Sequence, residues 1–153
     1  MSKTMRQTKR GDYISWNKYF MKLAKLSARR SKDPATQVGA VIVDNENKIV
    51  SIGYNGMPRG CSDDKFCWGK DKTVDNKYLY VVHAEVNAIL NSNTSLDNTI
   101  LYTTLFPCNE CAKVIIQSGI KKVIYKKRKK SLSYKASKKM FKSAGVRYQK
   151  YVR

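Results

Sequence analysis

Runs rich in β-branched and aromatic residues alternate along this chain with segments of helical period, and that alternation restricts the fold more than any other feature. Asp12 is placed to cap a helix in which Trp16, Tyr19, Phe20, Leu23 and Leu26 recur at spacings of three and four, running to about Arg30. Asp33-Pro34 ends it, because the residue before proline avoids the helical region. Two β-rich runs, 38–43 and 48–54, flank the turn-forming Asp44-Asn45-Glu46-Asn47 and predict a hairpin. Residues 55–81 are rich in Gly, Asp, Asn and Lys and lack periodicity, a long loop of the kind that carries function inside a compact domain. A helix is predicted from near His83, with Ala84, Ala88, Ile89 and Leu90 as its apolar contacts, and then a strand at 99–104. Pro107 precedes a helix holding Ala112, Val114, Ile115 and Ile116 that stops at Gly119. A strand at 122–125, a lysine-studded helix at about 132–144 ended by Gly145, and an edge strand at 146–151 complete the pattern. The order α-β-β-α-β-α-β-α-β predicts an α/β protein, a sheet with helices on its faces.

A chain of 153 residues, 42% of them apolar, can bury one compact core but not two full domains. Residues 12–153 are therefore expected as one domain behind a disordered basic segment, 1–11. No apolar run approaches the roughly 20 residues of a membrane span, and the polar, basic start is unlike a secretory signal. A soluble, cytoplasmic protein without a membrane partner is the expectation. The net charge of +20 first suggests nucleic acid, but it is unevenly spread. Residues 1–32 hold ten Lys/Arg against Asp12 alone, and residues 121–153 hold fourteen against no acid. The middle, 33–120, has seven basic and ten acidic residues and is no polyphosphate groove, so nucleic acid is not an expected partner.

Two fragments carry chemistry: His83-Ala-Glu85, and Pro107-Cys108-Asn-Glu-Cys111, with 21 residues between them. Each falls at the start of a predicted helix. Cys108 and Cys111 are three apart, hence on one face, and a helix N-terminus favours thiolate. One nitrogen from His83 and two sulfurs match the catalytic zinc pattern, which leaves a fourth position open for water. Glu85, two residues beyond the histidine, is placed to exchange protons with that water rather than to ligate. The combination of H-x-E with P-C-x-x-C is the signature of zinc-dependent nucleobase deaminases. Taken alone, a C-x-x-C pair is equally a redox couple or half of a structural zinc site. Because His83 is the chain's one histidine, Cys61 and Cys67 are read as free thiols.

At these residues the chain resembles the deoxycytidylate (dCMP) deaminase family. The resemblance runs through Asp33-Pro-Ala-Thr-Gln-Val-Gly-Ala40, Gly53-Tyr-Asn-Gly-Met-Pro-Arg-Gly-Cys-Ser-Asp-Asp64, His83-Ala-Glu-Val-Asn-Ala-Ile89, Leu105-Phe-Pro-Cys-Asn-Glu-Cys-Ala112 and Ile116-Gln-Ser-Gly-Ile120. It implies a three-layer fold with a five-stranded mixed sheet, a homohexamer, and hydrolysis of dCMP to dUMP and ammonia for thymidylate synthesis. It also implies allosteric control, dCTP with Mg2+ activating and dTTP inhibiting. Carried onto this chain, it makes His83, Cys108 and Cys111 zinc (Zn2+) ligands, Glu85 the acid/base, and Asn55 a partner of the deoxyribose. The Ala84 N–H is then placed to bind the base carbonyl, with Val38 and Phe106 sandwiching the ring. Phe106 also reads as plain core, and Asn55 as a turn former. With no glycine-rich cradle for the phosphate, Lys32 and Thr36 beside the first strand are the candidates.

The chain departs from the family after the strand at 122–125. Relatives carry acidic and aromatic residues there; this chain has the basic run 126–130 and is slightly shorter, with Tyr134 as a replacement aromatic. The run reads as a solvated face or as a route for anionic nucleotides. Rival readings are a dual dCMP/dCTP deaminase, a deaminase of cytosine or adenine in RNA or single-stranded DNA, and an inactive zinc module. The intact Glu85 argues against the last.

Overall fold

The computed structural model describes residues 5–153. Residues 1–4 of the segment expected to be disordered lie outside the described residues, and 5–15 form no helix or strand. Five strands, β1 (Gly39–Val43), β2 (Ile49–Tyr54), β3 (Ile100–Leu105), β4 (Lys122–Lys127) and β5 (Arg147–Lys150), form one sheet in the order β2-β1-β3-β4-β5. β1 runs antiparallel to β2 and β3, whereas β3, β4 and β5 are parallel, so the sheet is mixed.

Helices cover both faces. All five residues of β1 are buried, as expected of a strand sandwiched between two layers. Val41 and Val43 face α1 (Trp16–Ala28) in a cluster with Phe20, Met21, Ala24, Tyr102 and Ile124. Ala40 and Ile42 face the opposite cluster, which α2 (Ala84–Leu90), α3 (Asn109–Gln117) and α4 (Leu132–Ala144) complete with Ala84, Ala88, Ala112, Ile115 and Phe141. The result is the expected three-layer α/β/α arrangement. Among the described residues no helix is long and apolar enough to cross a membrane.

Several local expectations are corrected. The cap of α1 is Ser15, whose Oγ accepts from the Lys18 N–H at 3.2 Å, while Asp12 lies outside the helix and pairs with Arg10. The buried face of α1 is Phe20, Met21, Ala24 and Ala28; Trp16, Tyr19 and Leu26 face outward. Leu90 of α2 is likewise exposed.

Close packing explains the choice of face. A Cβ on Gly39 would lie 1.9 Å from the Ala24 carbonyl oxygen, and one on Gly53 would lie 2.3 Å from the Ala88 nitrogen. Helix backbones rest directly on β1 and β2, so only alanine-sized side chains fit between them. The 55–81 loop is also more organised than its composition suggests. It holds a 3-10 turn (Lys77–Leu79) and is pinned by bridges pairing Gly56 with Val82 and Lys70 with Asn76.

Candidate active site and metal centre

Both chemical motifs sit at helix starts that converge beyond the carboxyl end of β3, where ligands of open α/β sheets bind. His83 is the N-cap residue of α2 and Cys108 that of α3, each with extended backbone, and neither side chain caps its own helix. Both are thereby free to turn towards Cys111, in the first turn of α3. The His83 Nδ1 lies 3.2 Å from the Cys111 sulfur and 3.4 Å from the Cys108 sulfur, and all three ligand atoms fall within 4.8 Å of one another.

This donor set fits zinc. Zn–N and Zn–S bonds at tetrahedral angles bring neighbouring ligand atoms to about 3.5–3.8 Å, close to what is observed. The sulfurs also share charge suitably. The Cys111 S–H and the His83 ring hold the Cys108 thiol down at about 4, against burial, while the Cys108 sulfur and burial push Cys111 up. The hydrogen bond to Cys108 raises His83, against burial. Thiols sharing a proton release it on coordinating a cation.

Glu85, in the first turn of α2, is buried beside this group. Its Oε2 lies 3.5 Å from the Cys111 sulfur, and its Oε1 accepts from the Thr103 hydroxyl at 3.2 Å. Thr103, fully buried on β3, can instead donate to the Leu105 carbonyl at 2.9 Å, so its single proton serves one acceptor at a time. Burial raises the Glu85 carboxyl above its ordinary value. That direction suits a group which must both take and give protons near neutrality.

A cleft of about 280 Å3 opens over these groups. Thr36, Val38, Asn55, Ala84 and Phe106 line it together with His83, Glu85 and Cys108. Asn55 is buried and helps shape it: Oδ1 accepts from the Val38 N–H and Nδ2 donates to the Thr36 carbonyl, both at 2.9 Å, which leaves its second Nδ2 proton available. The Ala84 N–H belongs to the first helical turn and has no intrahelical partner. Phe106 serves two ends. It lines the cleft, and its ring sits edge-on to Tyr125 and Phe141 in the core and to the exposed Tyr148 on β5.

Lys32 does not reach the cleft: it is exposed and its ammonium is paired with Asp63. The cations that do line the cleft are Lys77 and Lys129, which sequence reasoning did not single out. Lys77 is buried against Asp33, whereas Lys129 comes from the basic run. The chance to find Lys129 lay in the altered loop itself, whose lysines sequence alone cannot sort into inward and outward. Tyr134 joins it from the first turn of α4, 6.1 Å from the Phe106 ring centre. Burial and the nearby Cys108 and Glu85 charges push the Tyr134 hydroxyl up to about 12. Ser133 ties this wall to α3, accepting from the Asn109 N–H at 3.0 Å and donating to its Oδ1 at 2.8 Å. Cys61 and Cys67 are free thiols, and neither belongs to the His83 group.

Comparison with known proteins agrees with this geometry. The chain is 55% identical to a probable deoxycytidylate deaminase of Drosophila melanogaster, over 99% of this chain and 80% of that protein. It is 55% identical to deoxycytidylate deaminase of Mus musculus over 94% and 83% of the two chains. Its fold matches the crystal structure of dCMP deaminase from the cyanophage S-TIM5 in complex with dCMP and dUMP with a TM-score of 0.70 at 29% identity, covering 88% of this chain and 95% of that one. The sequence pattern of the cytidine and deoxycytidylate deaminase zinc-binding region matches residues 14–127, and on these grounds the chain belongs to the cytidine and deoxycytidylate deaminase family.

Proposed function

We propose that this enzyme hydrolyses the 4-amino group of dCMP, water and dCMP giving dUMP and ammonia. The observation that carries the reading is the buried Glu85 carboxylate, held by Thr103 beside the His83, Cys108 and Cys111 ligand atoms at the floor of a nucleotide-sized cleft. Relatives at 55% identity bear the deoxycytidylate deaminase name, which supports this substrate over others.

His83 Nδ1 and the sulfurs of Cys108 and Cys111 would hold the zinc ion. When bound, the ion supplies the Lewis acidity that makes water a nucleophile at neutral pH. Glu85 takes one proton from the attacking water and passes it to N3 of cytosine, then takes the second from the new C4 hydroxyl and passes it to the departing amine. The Ala84 N–H donates to the base carbonyl, as a first-turn amide suits. Val38 and Phe106 flank the ring, and Asn55, which also holds the 36–38 backbone, hydrogen-bonds the deoxyribose. Lys129, with Thr36, takes the role of phosphate partner in place of Lys32, which is paired with Asp63 outside the cleft lining.

The family resemblance extends the proposal to dUMP supply for thymidylate synthesis. It extends it further to a homohexamer activated by dCTP with Mg2+ and inhibited by dTTP. The test is ammonia release by the zinc-loaded protein offered dCMP, dCTP, deoxycytidine, CMP and a cytosine-containing oligonucleotide, with and without the two effectors. Preferential turnover of dCMP is the expected result. Turnover of dCTP or of the oligonucleotide in its place overturns the substrate assignment.

A further inference from the structure

The buried ion pair of Asp33 and Lys77 lies in the cleft wall and takes no part in the proton chemistry described above. Its side chains are only 3% and 5% exposed, and the ammonium reaches both carboxylate oxygens, at 2.8 and 2.7 Å. Burial opposes ionisation of Asp33. Lys77 and the backbone N–H groups of Ala35 and Thr36 outweigh it and leave the carboxyl below its ordinary value. A charged pair this deep is an unusual investment for a wall that an apolar contact would also close, because removing two ions from water costs more than packing does.

What the pair joins gives it a use. Asp33 Oδ1 accepts from the Ala35 and Thr36 N–H groups at 2.8 and 3.2 Å, shaping the turn that leads to Thr36 and Val38. Lys77 lies 44 residues further along, in the 3-10 turn of the long loop. Its N–H donates to the Gly69 carbonyl, and its own carbonyl accepts from the Val81 N–H at 2.9 Å, next to the Val82 bridge that precedes His83. One wall of the cleft thus carries Thr36 and Val38, the other Tyr78 and Val81. The ion pair is the charged contact that links them. The floor is fixed separately, by the helix starts and by Thr103.

We propose that Asp33 and Lys77 form a positioning strut that sets the spacing of the two walls and thereby nucleotide affinity, without acting on the reacting atoms. The proposal rests on the dCMP deaminase reading for its ligand. One ammonium in contact with both carboxylate oxygens fixes where the two segments meet, which a slidable apolar contact between loops does not.

The test uses the full-length, zinc-loaded protein and four variants. Asp33→Asn/Lys77→Met removes both charges without stranding either, Lys77→Met strands Asp33, and Asp33→Glu and Lys77→Arg keep the charges while altering reach. Five quantities are read: kcat and KM for dCMP, Kd for dUMP by calorimetry, bound zinc, and the thermal midpoint. For the double variant the expected result is retained zinc, kcat within about threefold of the parent, and KM and Kd both raised tenfold or more. Lys77→Arg recovers at least half of that loss on a logarithmic scale. A folded double variant with parental KM and Kd overturns the strut and leaves the pair a stability element only, as does a loss confined to kcat. Should the double variant not fold, the two charge-conserving variants decide by the same ratio of KM to kcat. The parent reports on the deaminase reading and the variant-to-parent ratio on the strut, so either can fail without the other.

Discussion

The floor and the walls of the cleft are built on different principles. The floor takes four side chains from two short motifs, each planted at the start of a helix whose backbone rests on the sheet or on another helix. The walls come from segments far apart in the chain, the turn after α1, the 55–82 loop and the start of α4, tied by the Asp33–Lys77 pair and the Ser133–Asn109 hydrogen bonds. A floor that performs one reaction tolerates little displacement of its ligands. Walls that recognise a particular nucleotide can be rebuilt from loops without disturbing that chemistry.

Changes to the floor should therefore destroy turnover, and changes to the walls should move binding or stability. The largest effect expected is from metal removal: a strong chelator, or Cys108→Ala, abolishes ammonia release to background, and stoichiometric zinc restores it to the chelated parent but not to the variant. Glu85→Gln follows, lowering kcat by about 10²–10⁴ with zinc and dUMP binding retained, the range for loss of a general acid/base. A variant that kept its turnover would transfer the proton role elsewhere.

The walls come next. Lys77→Met strands a buried carboxylate and should cost about 3–5 kcal/mol in denaturant unfolding. The pH dependence has a definite sign. Because the folded Asp33 carboxyl lies below its ordinary value of 3.8, its contribution is complete above that value and is lost as pH falls below 3.8 through the folded value. Urea midpoints measured from about pH 5 to pH 3 should thus fall more steeply for the parent than for Asp33→Asn. Lys129→Ala should raise KM for dCMP about tenfold while leaving deoxycytidine unaffected, since a charge-assisted contact to the phosphate is absent from the nucleoside. The smallest effect is expected on the outer face of α4, where Lys135→Glu and Lys139→Glu should change stability by no more than about 0.5 kcal/mol and leave kcat/KM unaltered.

The same contrast resolves the charge of the chain. Fourteen basic residues and no acid concentrate positive charge in 121–153. The structure divides them: Lys129, though exposed, borders the cleft, while Arg147 and Lys150 lie on β5, at the edge of the sheet. Charged side chains on an edge strand discourage pairing with another chain. Lys126, half-buried at the end of β4, has its ammonium lowered by desolvation and by the like charges of Lys25, Arg153, Lys150 and Lys127.

Sequence by itself determined the elements and the chemistry of the floor. Alternating apolar patterns give the strand and helix order, one helical turn brings Cys108 and Cys111 to one face, and the pairing of H-x-E with P-C-x-x-C marks His83, Glu85, Cys108 and Cys111 as one group. Sequence did not determine which face of α1 is buried, because the answer depends on Gly39 letting the Ala24 and Ala28 backbone approach β1. It did not reveal Asp33 with Lys77, nor separate Lys129 from Lys32, because these depend on contacts between residues tens of positions apart. Such contacts have no period. They exist only once the sheet has set the loops against one another, and there the tertiary structure decided how the cleft is closed.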